Sequence, residues 1–265
     1  MNKELLYVYG LIPAYERDPN SNVTIKTKRR GDVLAVFDVV DPLVFAQQQI
    51  ERYADDPVWV KEKAVSHHNV IAMLQQRYTV IPLPFCTIFE DSDNLEAMLS
   101  RYEDEIKSLF KTLKGKEEWN LKVYCSMEIF KAHVMQNSNE AMNFTEQLSS
   151  LSPGKQFLMR KQMTARLELL VEDERRRICL AVHESLSSAA YQTSVKKVWD
   201  RKMTGRVEEM IWNSVYLTDS QKIDAFMLLV KQYNDEFQAA GLFFEATGPW
   251  PIYHFANAAF RGSVR

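Results

Sequence analysis

The first part of the chain alternates between strand-like and helix-like spacing of its apolar residues. Residues 5–9 are apolar on both faces and end at a glycine, as is typical of a strand that is covered on both sides. The apolar runs 23–25 and 33–40 predict two more strands, with residues 29–32 as the turn between them. Residues 80–89 contain two prolines, which restrict them to one or two short edge strands.

Three helices are predicted among these strands. Asp41-Pro42 and Asp56-Pro57 each place an N-cap residue before a proline in the first turn, and the first helix is expected to end near Tyr53. The third helix follows a cap at residues 91–93 and ends at Gly115. The second helix has a single apolar stripe, which is formed by Val60, Ala64, His67, Ile71, Leu74 and Tyr78.

The second half of the chain also predicts a mixture of strands and helices. Alternation of apolar and polar residues indicates a strand whose buried face carries Leu121, Val123, Cys125 and Met127. The polar, serine-rich residues 136–152 are interpreted as a loop that holds at most one short helix. The longest helix is expected to start at Ser152-Pro153 and to reach about Ala190.

A strand within residues 205–217, a helix over 221–239 and a last strand over 242–247 complete the predicted order β-α-β-α-β. Both halves therefore fit small α+β domains. We predict an N-terminal domain over residues 1–115 and a C-terminal domain over residues 116–265. The two halves show no residue-by-residue repeat.

The C-terminal tail, residues 249–265, is rigid and aromatic at its start. Pro249 and Pro251 fix φ and remove two backbone donors, so we expect the tail to be neither helix nor a central strand. Its aromatic side chains are too apolar to remain in water; they are Trp250, Tyr253 and Phe255. Two interpretations stay open, an intramolecular strap between the halves and a segment that binds a partner.

Composition and charge exclude several classes of protein. The chain has 265 residues, of which 46% are apolar and 26% charged, and this is ordinary for a globular protein. The net charge of −2 lacks the excess of basic residues that is typical of nucleic-acid-binding proteins. Its three cysteines lack the spacing of a disulfide framework or a zinc site. Without a leader-like apolar segment or a run of about 20 apolar residues, we expect a cytoplasmic, thiol-reduced protein that does not enter membranes.

The histidines do not form a recognisable catalytic or metal-binding motif. His67 and His68 are adjacent on a helix and do not face each other, so His67 is interpreted as a core or boundary residue. His183-Glu184 has no second histidine four residues later, which excludes a zincin motif. Residues 172–177 form a dense run of charges that favours a solvated helix surface over a docking site.

The cysteines and glycines likewise give no enzymatic signature. Cys86 lacks a basic neighbour that would lower its pKa, and Cys125 and Cys179 are interpreted as small core residues. The sequence contains no GxGxxG, GxxxxGK[ST] or GxSxG motif. We therefore predict no cofactor, no metal and no catalytic residue.

Five segments, in order along the whole chain, resemble the gas vesicle protein GvpF/GvpL family. They are Tyr7–Gly10, the helix from Trp59 to Val70, Ile81–Phe89, Gly154–Lys161 and Gly248–Phe255. The third segment departs from the usual family pattern, Pro-Leu-Arg-Phe-Gly-Thr, because Pro84 replaces the arginine and Cys86 the glycine. A contact made through that arginine is not expected here.

The resemblance implies a ferredoxin-like N-terminal domain, a C-terminal α+β domain and no catalytic residues. It further implies a non-enzymatic accessory or minor structural protein, located at the gas vesicle, that contacts the small apolar shell protein and other gas vesicle proteins. Such contacts would use the proline-interrupted edge and the aromatic tail. The candidate partner-binding residues are Pro82, Pro84, Phe85, Phe89, Trp250, Tyr253 and Phe255.

The alternative hypothesis is an enzyme or a small-ligand-binding protein. It would use a cleft between the two halves, with His183, Glu184 or Cys86 as the working groups. A pocket lined by acids and bases with perturbed pKa values would favour it.

Overall fold

The computed structural model describes residues 4–16, 26–149 and 152–259. Contacts within the chain divide it into two compact units. The first unit extends to Glu118 and also includes the segment from Pro249, and the second unit covers Trp119–Gly248.

The elements follow in chain order. The first are β1 (Leu5–Pro13), β2 (Lys26–Arg30), β3 (Val33–Val40), α1 (Pro42–Phe45), α2 (Gln47–Tyr53), α3 (Pro57–Gln75), β4 (Ile81–Pro82), β5 (Ile88–Phe89), α4 (Ser92–Arg101) and α5 (Glu103–Leu113). They continue with β6 (Lys116–Cys125), α6 (Met127–Asn137), α7 (Asn139–Ser149), α8 (Pro153–Ala189), β7 (Gln192–Val195), α9 (Arg201–Thr204), β8 (Glu209–Asp219), α10 (Ile223–Phe237), β9 (Leu242–Trp250) and α11 (Tyr253–Ala259). None of these helices is both long and apolar enough to cross a bilayer.

The sheet of the first unit has the strand order β2-β3-β1-β4, and β5 also pairs with β1. All these pairs are antiparallel. Gly10 is required where β4 pairs with β1, because a Cβ atom there would lie 2.8 Å from the carbonyl oxygen of Ile81. The prediction of one or two short edge strands over residues 80–89 is confirmed by β4 and β5.

Three predicted boundaries in the first unit are wrong, and one prediction is outside the described residues. The predicted strand 23–25 falls in the undescribed range, and Arg29 and Arg30 belong to β2 because they pair with Leu34 and Val33. The helix predicted from residue 41 to 53 is interrupted at Ala46, whose backbone is extended. The helix predicted to end at Gly115 is interrupted at Tyr102.

The sheet of the second unit has the order β7-β8-β6-β9. If the strands of each unit are numbered separately along the chain, both sheets have the order 2-3-1-4. The two sheets therefore share a strand order without sharing a sequence pattern. Helices follow β6 and β8 in the second unit, and this gives the β-α-β-β-α-β succession of ferredoxin-like folds. In the first unit, residues 17–25 between β1 and β2 are outside the described ranges.

Three helices of the second unit, α6, α8 and α10, cover one face of its sheet. A core forms where α6, α8 and α10 pack on β6, with Phe130, Val182, Phe226 and Leu121 among its buried residues. The long helix is confirmed over Pro153–Ala189. The buried face predicted for Leu121, Val123 and Cys125 is confirmed, whereas Met127 begins α6.

Two further predictions for the second half are corrected by the structure. The region 136–152, predicted as a loop with at most one short helix, belongs mainly to the end of α6 and to α7, because packing of these helices on each other and on α8 overrides their polar composition. The segment between α8 and β8 contains β7 and α9, which the sequence pattern did not predict.

The tail is also different from the prediction. Pro249 ends β9 together with Trp250, but α11 begins at Tyr253, so the expectation that the tail contains no helix is wrong. The two prolines restrict the backbone only as far as Pro251, and nothing prevents a helix two residues later. The tail was predicted to belong to the domain 116–265, yet its contacts group it with the first unit.

Candidate partner-binding surface

The tail packs on helices and strands of the first unit. Ile252, Phe255 and Ala256 are buried, and the backbone N–H groups of His254 and Phe255 donate to Oε2 of Glu118 at 2.9 and 3.4 Å. Glu118 is itself 97% buried, since its exposed fraction is 3%. This carboxylate satisfies N–H groups at the start of α11, which have no partner within the helix.

The helix α3 provides the surface on which the tail lies. The His68 ring is 5.8 Å from the Trp250 ring and 6.3 Å from the Tyr253 ring. Gln75 donates from Nε2 to the carbonyl oxygen of Trp250 at 3.4 Å. Burial, with the negative charge of Glu118, raises the pKa of Tyr253 to about 12, so its hydroxyl stays neutral at physiological pH.

The segment that contains the two candidate prolines pairs with β1. Pro82 lies opposite Gly10, and the N–H of Leu83 donates to the carbonyl oxygen of Tyr9 at 3.0 Å. Pro84 then opens a turn that closes when the N–H of Thr87 donates to the Pro84 carbonyl at 3.1 Å. Most of this segment is therefore fixed by hydrogen bonds to its own unit.

His67 connects this turn to the core. Its Nδ1 is 3.0 Å from the Tyr7 hydroxyl, which accepts a hydrogen bond from the N–H of Cys86 at 3.2 Å. The Phe85 ring contacts the His67 ring edge-to-face at 5.9 Å. Burial lowers the pKa of His67 to about 4, and its Nε2 has no hydrogen-bond partner among the described residues. The prediction of a core histidine agrees with its 3% exposure.

The structure thus brings the two predicted contact regions to neighbouring residues of α3. His67 touches Phe85, and His68 touches Trp250 and Tyr253. The histidine pair was singled out in the sequence, but its position between the two regions could not be predicted from periodicity alone.

The seven candidate residues differ in their accessibility. Pro82 and Phe255 are buried. Phe85, Phe89 and Tyr253 are half-buried. Pro84 and Trp250 are exposed, and Trp250 has an exposed fraction of 39%. Of the seven candidates, only Pro84 and Trp250 are therefore exposed to solvent.

The groups named in the enzymatic alternative belong to different units. Cys86 belongs to the first unit, and burial raises the pKa of its thiol. His183 and Glu184 lie on α8 in the second unit, where Nδ1 of His183 is 2.7 Å from the Tyr216 hydroxyl. Burial lowers the pKa of His183. Within residues 4–16, 26–149 and 152–259, no group of three His, Cys, Asp or Glu side chains is placed to hold a metal ion.

The other two cysteines are core residues, as the sequence predicted. Cys125 and Cys179 are buried, and burial raises the pKa of their thiols to about 11 and about 12. Thiols with such pKa values remain protonated at neutral pH and are weak nucleophiles.

A cavity of about 280 Å³ between α6 and α8 was not predicted from the sequence. His133, Asn137, Asp173, Glu174 and Arg177 are among its lining residues. Arg177 forms an ion pair with Glu174 at 2.6 Å, and this lowers the pKa of Glu174. Glu174 is therefore ionised at neutral pH and does not serve as a proton donor.

The fold and these sites define an α+β protein of two sheet-and-helix units. The family model described as "Gas vesicle synthesis protein GvpL/GvpF" matches residues 5–257. The chain belongs to this family, and its role lies in gas vesicle assembly. The members are gas vesicle structural and assembly proteins. The family resemblance of the five sequence segments is thereby confirmed.

Individual relatives extend over most of the chain. Gas vesicle protein L of Streptomyces sp. strain CB03234 is 26% identical over 231 residues, which cover 87% of this chain and 82% of that protein. Gas vesicle protein F1 of Halobacterium salinarum is 21% identical over 265 residues and covers 96% of this chain and 93% of its own length.

Solved structures agree in fold at low sequence identity. The crystal structure of gas vesicle protein GvpF from Anabaena sp. PCC7120 has a TM-score of 0.70 at 15% identity and covers 96% of this chain and 98% of that chain. The GvpF structure from Microcystis aeruginosa gives 0.64 at 15% identity, with 95% and 98% covered. The α+β fold is therefore shared with these proteins.

Proposed function

We propose that this chain is a non-enzymatic accessory or minor structural protein of gas vesicle assembly, which binds the apolar shell protein and other gas vesicle proteins. The observation that carries this proposal is the family match over residues 5–257. The contacts of Phe85, Trp250 and Tyr253 with histidines of α3 support it, because aromatic side chains on a fixed surface are suited to protein contacts.

The proposed contact surface consists of Pro84 and Trp250, supported by Phe85 and Tyr253. Trp250 presents apolar area with little rotamer entropy to lose, and such residues often dominate binding energy. The ring of Pro84 fixes its φ angle, so little backbone freedom is lost on binding, and Pro84 offers no N–H group that would need a partner. Pro82, Phe89 and Phe255 are assigned the role of holding these groups in place.

The test is co-production of the chain with the shell protein, followed by affinity capture at micromolar concentration. The wild-type chain is expected to retain the shell protein, and Trp250→Ala is expected to weaken retention about ten-fold, equivalent to about 1.4 kcal/mol. Tyr15→Ala is the matched control, because Tyr15 is an exposed aromatic residue elsewhere on the unit.

Absence of retention by the wild-type chain would contradict the proposed binding of the shell protein. Equal weakening by Tyr15→Ala and Trp250→Ala would instead contradict the placement of the contact surface. Circular dichroism on both variants separates lost binding from lost folding.

A further inference from the structure

Exposed apolar side chains are concentrated in the stretch from Tyr191 to Val207. Six large apolar residues are exposed there, namely Tyr191, Val195, Val198, Trp199, Met203 and Val207. Among the other residues whose side-chain exposure the structure describes, a stretch of the same length has at most three. Single exposed apolar residues are normal, but such a group marks an interaction surface.

This stretch, hereafter the 191–207 surface, begins with an edge strand. In the described sheet β7 pairs with β8, from Gln192 opposite Leu217 to Val195 opposite Ser214, and has no strand on its other side. An edge strand presents backbone N–H and C=O groups with which an extended chain can pair.

The remainder of the 191–207 surface is held against the face of the sheet that lies opposite the helices. Leu121 on β6 faces the core. Because side chains alternate between the two faces of a strand, Lys122 and Tyr124 lie on the opposite face. The Lys122 ammonium is 4.7 Å from the ring of Trp199, and the Arg206 guanidinium is 4.2 Å from the ring of Tyr124. The surface is thus anchored, while Trp199 keeps an exposed fraction of 39%.

The 191–207 surface is also basic, although the whole chain has a net charge of −2. It contains five basic residues and one acidic residue, Asp200, which gives a net charge of +4. Arg206 is paired with Glu208 and Glu245. In the described part of the chain, no acidic side chain pairs with the other four, which are Lys196, Lys197, Arg201 and Lys202.

We propose that the 191–207 surface binds an extended segment of a partner protein that alternates apolar and acidic side chains and adds to β7 as a further strand. The apolar side chains would lie against Val195 and Val198, and the acidic ones would meet the unpaired lysines. This inference rests on the proposed function, because the partner is taken to be another gas vesicle protein.

Neither self-association nor protection against aggregation accounts for the 191–207 surface as well as an acidic partner does. A second copy of the chain would bring one net charge of +4 against another, which opposes association. Lysines on an edge strand can also serve only to prevent aggregation, but that purpose does not account for six exposed apolar side chains on the same stretch.

The direct test uses two synthetic peptides and the full chain. One peptide alternates Val and Glu, and the matched peptide alternates Val and Lys. The wild-type chain is expected to bind the acidic peptide, more weakly as salt is added, and not the basic one. The double variant Lys197→Glu/Lys202→Glu is expected to weaken binding of the acidic peptide at least ten-fold.

Arg176→Glu is a single charge reversal outside the 191–207 surface and serves as the control, because Arg176 is an exposed arginine on α8. It is expected to leave peptide binding unchanged. The proposal is overturned if the acidic peptide does not bind at millimolar concentration, if both peptides bind equally, or if Arg176→Glu has the same effect as the double variant.

Co-production with the gas vesicle proteins of the host separates this inference from the proposed function. If the wild-type chain captures none of them, the proposed function fails. If it captures them and the double variant captures the same set in the same amounts, only the 191–207 surface is refuted. Loss of one gas vesicle protein from the double variant, but not from Arg176→Glu, supports the surface. A wild-type dimer that dissociates in Val198→Asp would overturn it in favour of a second copy.

Discussion

Cys86 has a backbone conformation that ordinarily belongs to glycine. Its φ is 62°, and it is the only residue other than glycine with a positive φ in the described chain. It occupies the third position of the turn from Pro84 to Thr87, where the family pattern has glycine. For a residue with a Cβ atom, this conformation costs about 1–2 kcal/mol.

Cys86→Gly is therefore expected to increase the free energy of unfolding by about 1 kcal/mol, the relief of strain being reduced by the greater freedom of glycine in the unfolded chain. Urea denaturation measures this. Cys86→Ala keeps the Cβ atom and should not stabilise the protein. If alanine stabilised it as much as glycine, backbone strain would not be the cause.

His67 makes the free energy of unfolding depend on pH in the mildly acidic range. Its pKa is lowered to about 4 in the folded state from 6.5, so the unfolded chain binds a proton that the folded chain does not. This contribution to stability is present above pH 6.5 and is lost as the pH falls toward 4. Carboxylates with lowered pKa values, such as Glu96 and Glu103, contribute to the pH dependence mainly below pH 4.5, their usual pKa, so the range from pH 6.5 to 4.5 reports chiefly on His67.

His67→Gln is expected to flatten the dependence of the unfolding free energy on pH between 6.5 and 4.5. Urea unfolding at a series of pH values measures it. His183, whose pKa burial also lowers, provides the remaining slope. An unchanged slope in His67→Gln would show that the buried ring is not the source.

The helix α11 depends on a residue from a distant element. Glu118 on β6 accepts from two N–H groups at its start, and this carboxylate lies near the positive end of the helix. Glu118→Gln keeps the shape but removes the charge, so we expect a loss of about 1 kcal/mol in unfolding free energy. Glu105→Gln, on the exposed side of α5, is the control for thermal denaturation and should cause no comparable loss.

The two aromatic residues of the tail are expected to have separable effects. Phe255 is 94% buried, since its exposed fraction is 6%, and Phe255→Ala should lower the free energy of unfolding by about 3 kcal/mol. Trp250 is more exposed, and Trp250→Ala should cost less than about 1 kcal/mol while it weakens binding of the shell protein. Similar losses of stability in both variants would contradict this division between a packing residue and a contact residue.

The whole molecule consists of two units, and the second is continuous in sequence. It has its own core of residues such as Phe130, Tyr216 and Phe226. Residues 116–250, which include β6 and β9 in full, are expected to unfold cooperatively when produced alone. Calorimetry tests this, and a broad transition without a heat-capacity peak would contradict it.

Local signals predicted much of this architecture. The Asp-Pro pairs begin α1 and α3, and the side chains of Asp41 and Asp56 accept from N–H groups of the first turn. The apolar stripe of α3 is buried at His67, Ile71 and Leu74. In the candidate site, the pattern identified Phe85 and Trp250, but not that they meet adjacent histidines of α3.

The sequence alone determined β1, β3, β6, β8 and β9, the longest helix and the family, because periodicity, caps and motif order act over a few residues. Only the tertiary structure decided that the tail forms a helix on the first unit, that Cys86 takes a positive φ, and that β7 lies at the edge of its described sheet. Each depends on residues far apart in the chain: His254 and Glu118, which are 136 positions apart, are hydrogen-bonded. No local pattern encodes such a pairing, since it forms only when the sheets and helices have packed.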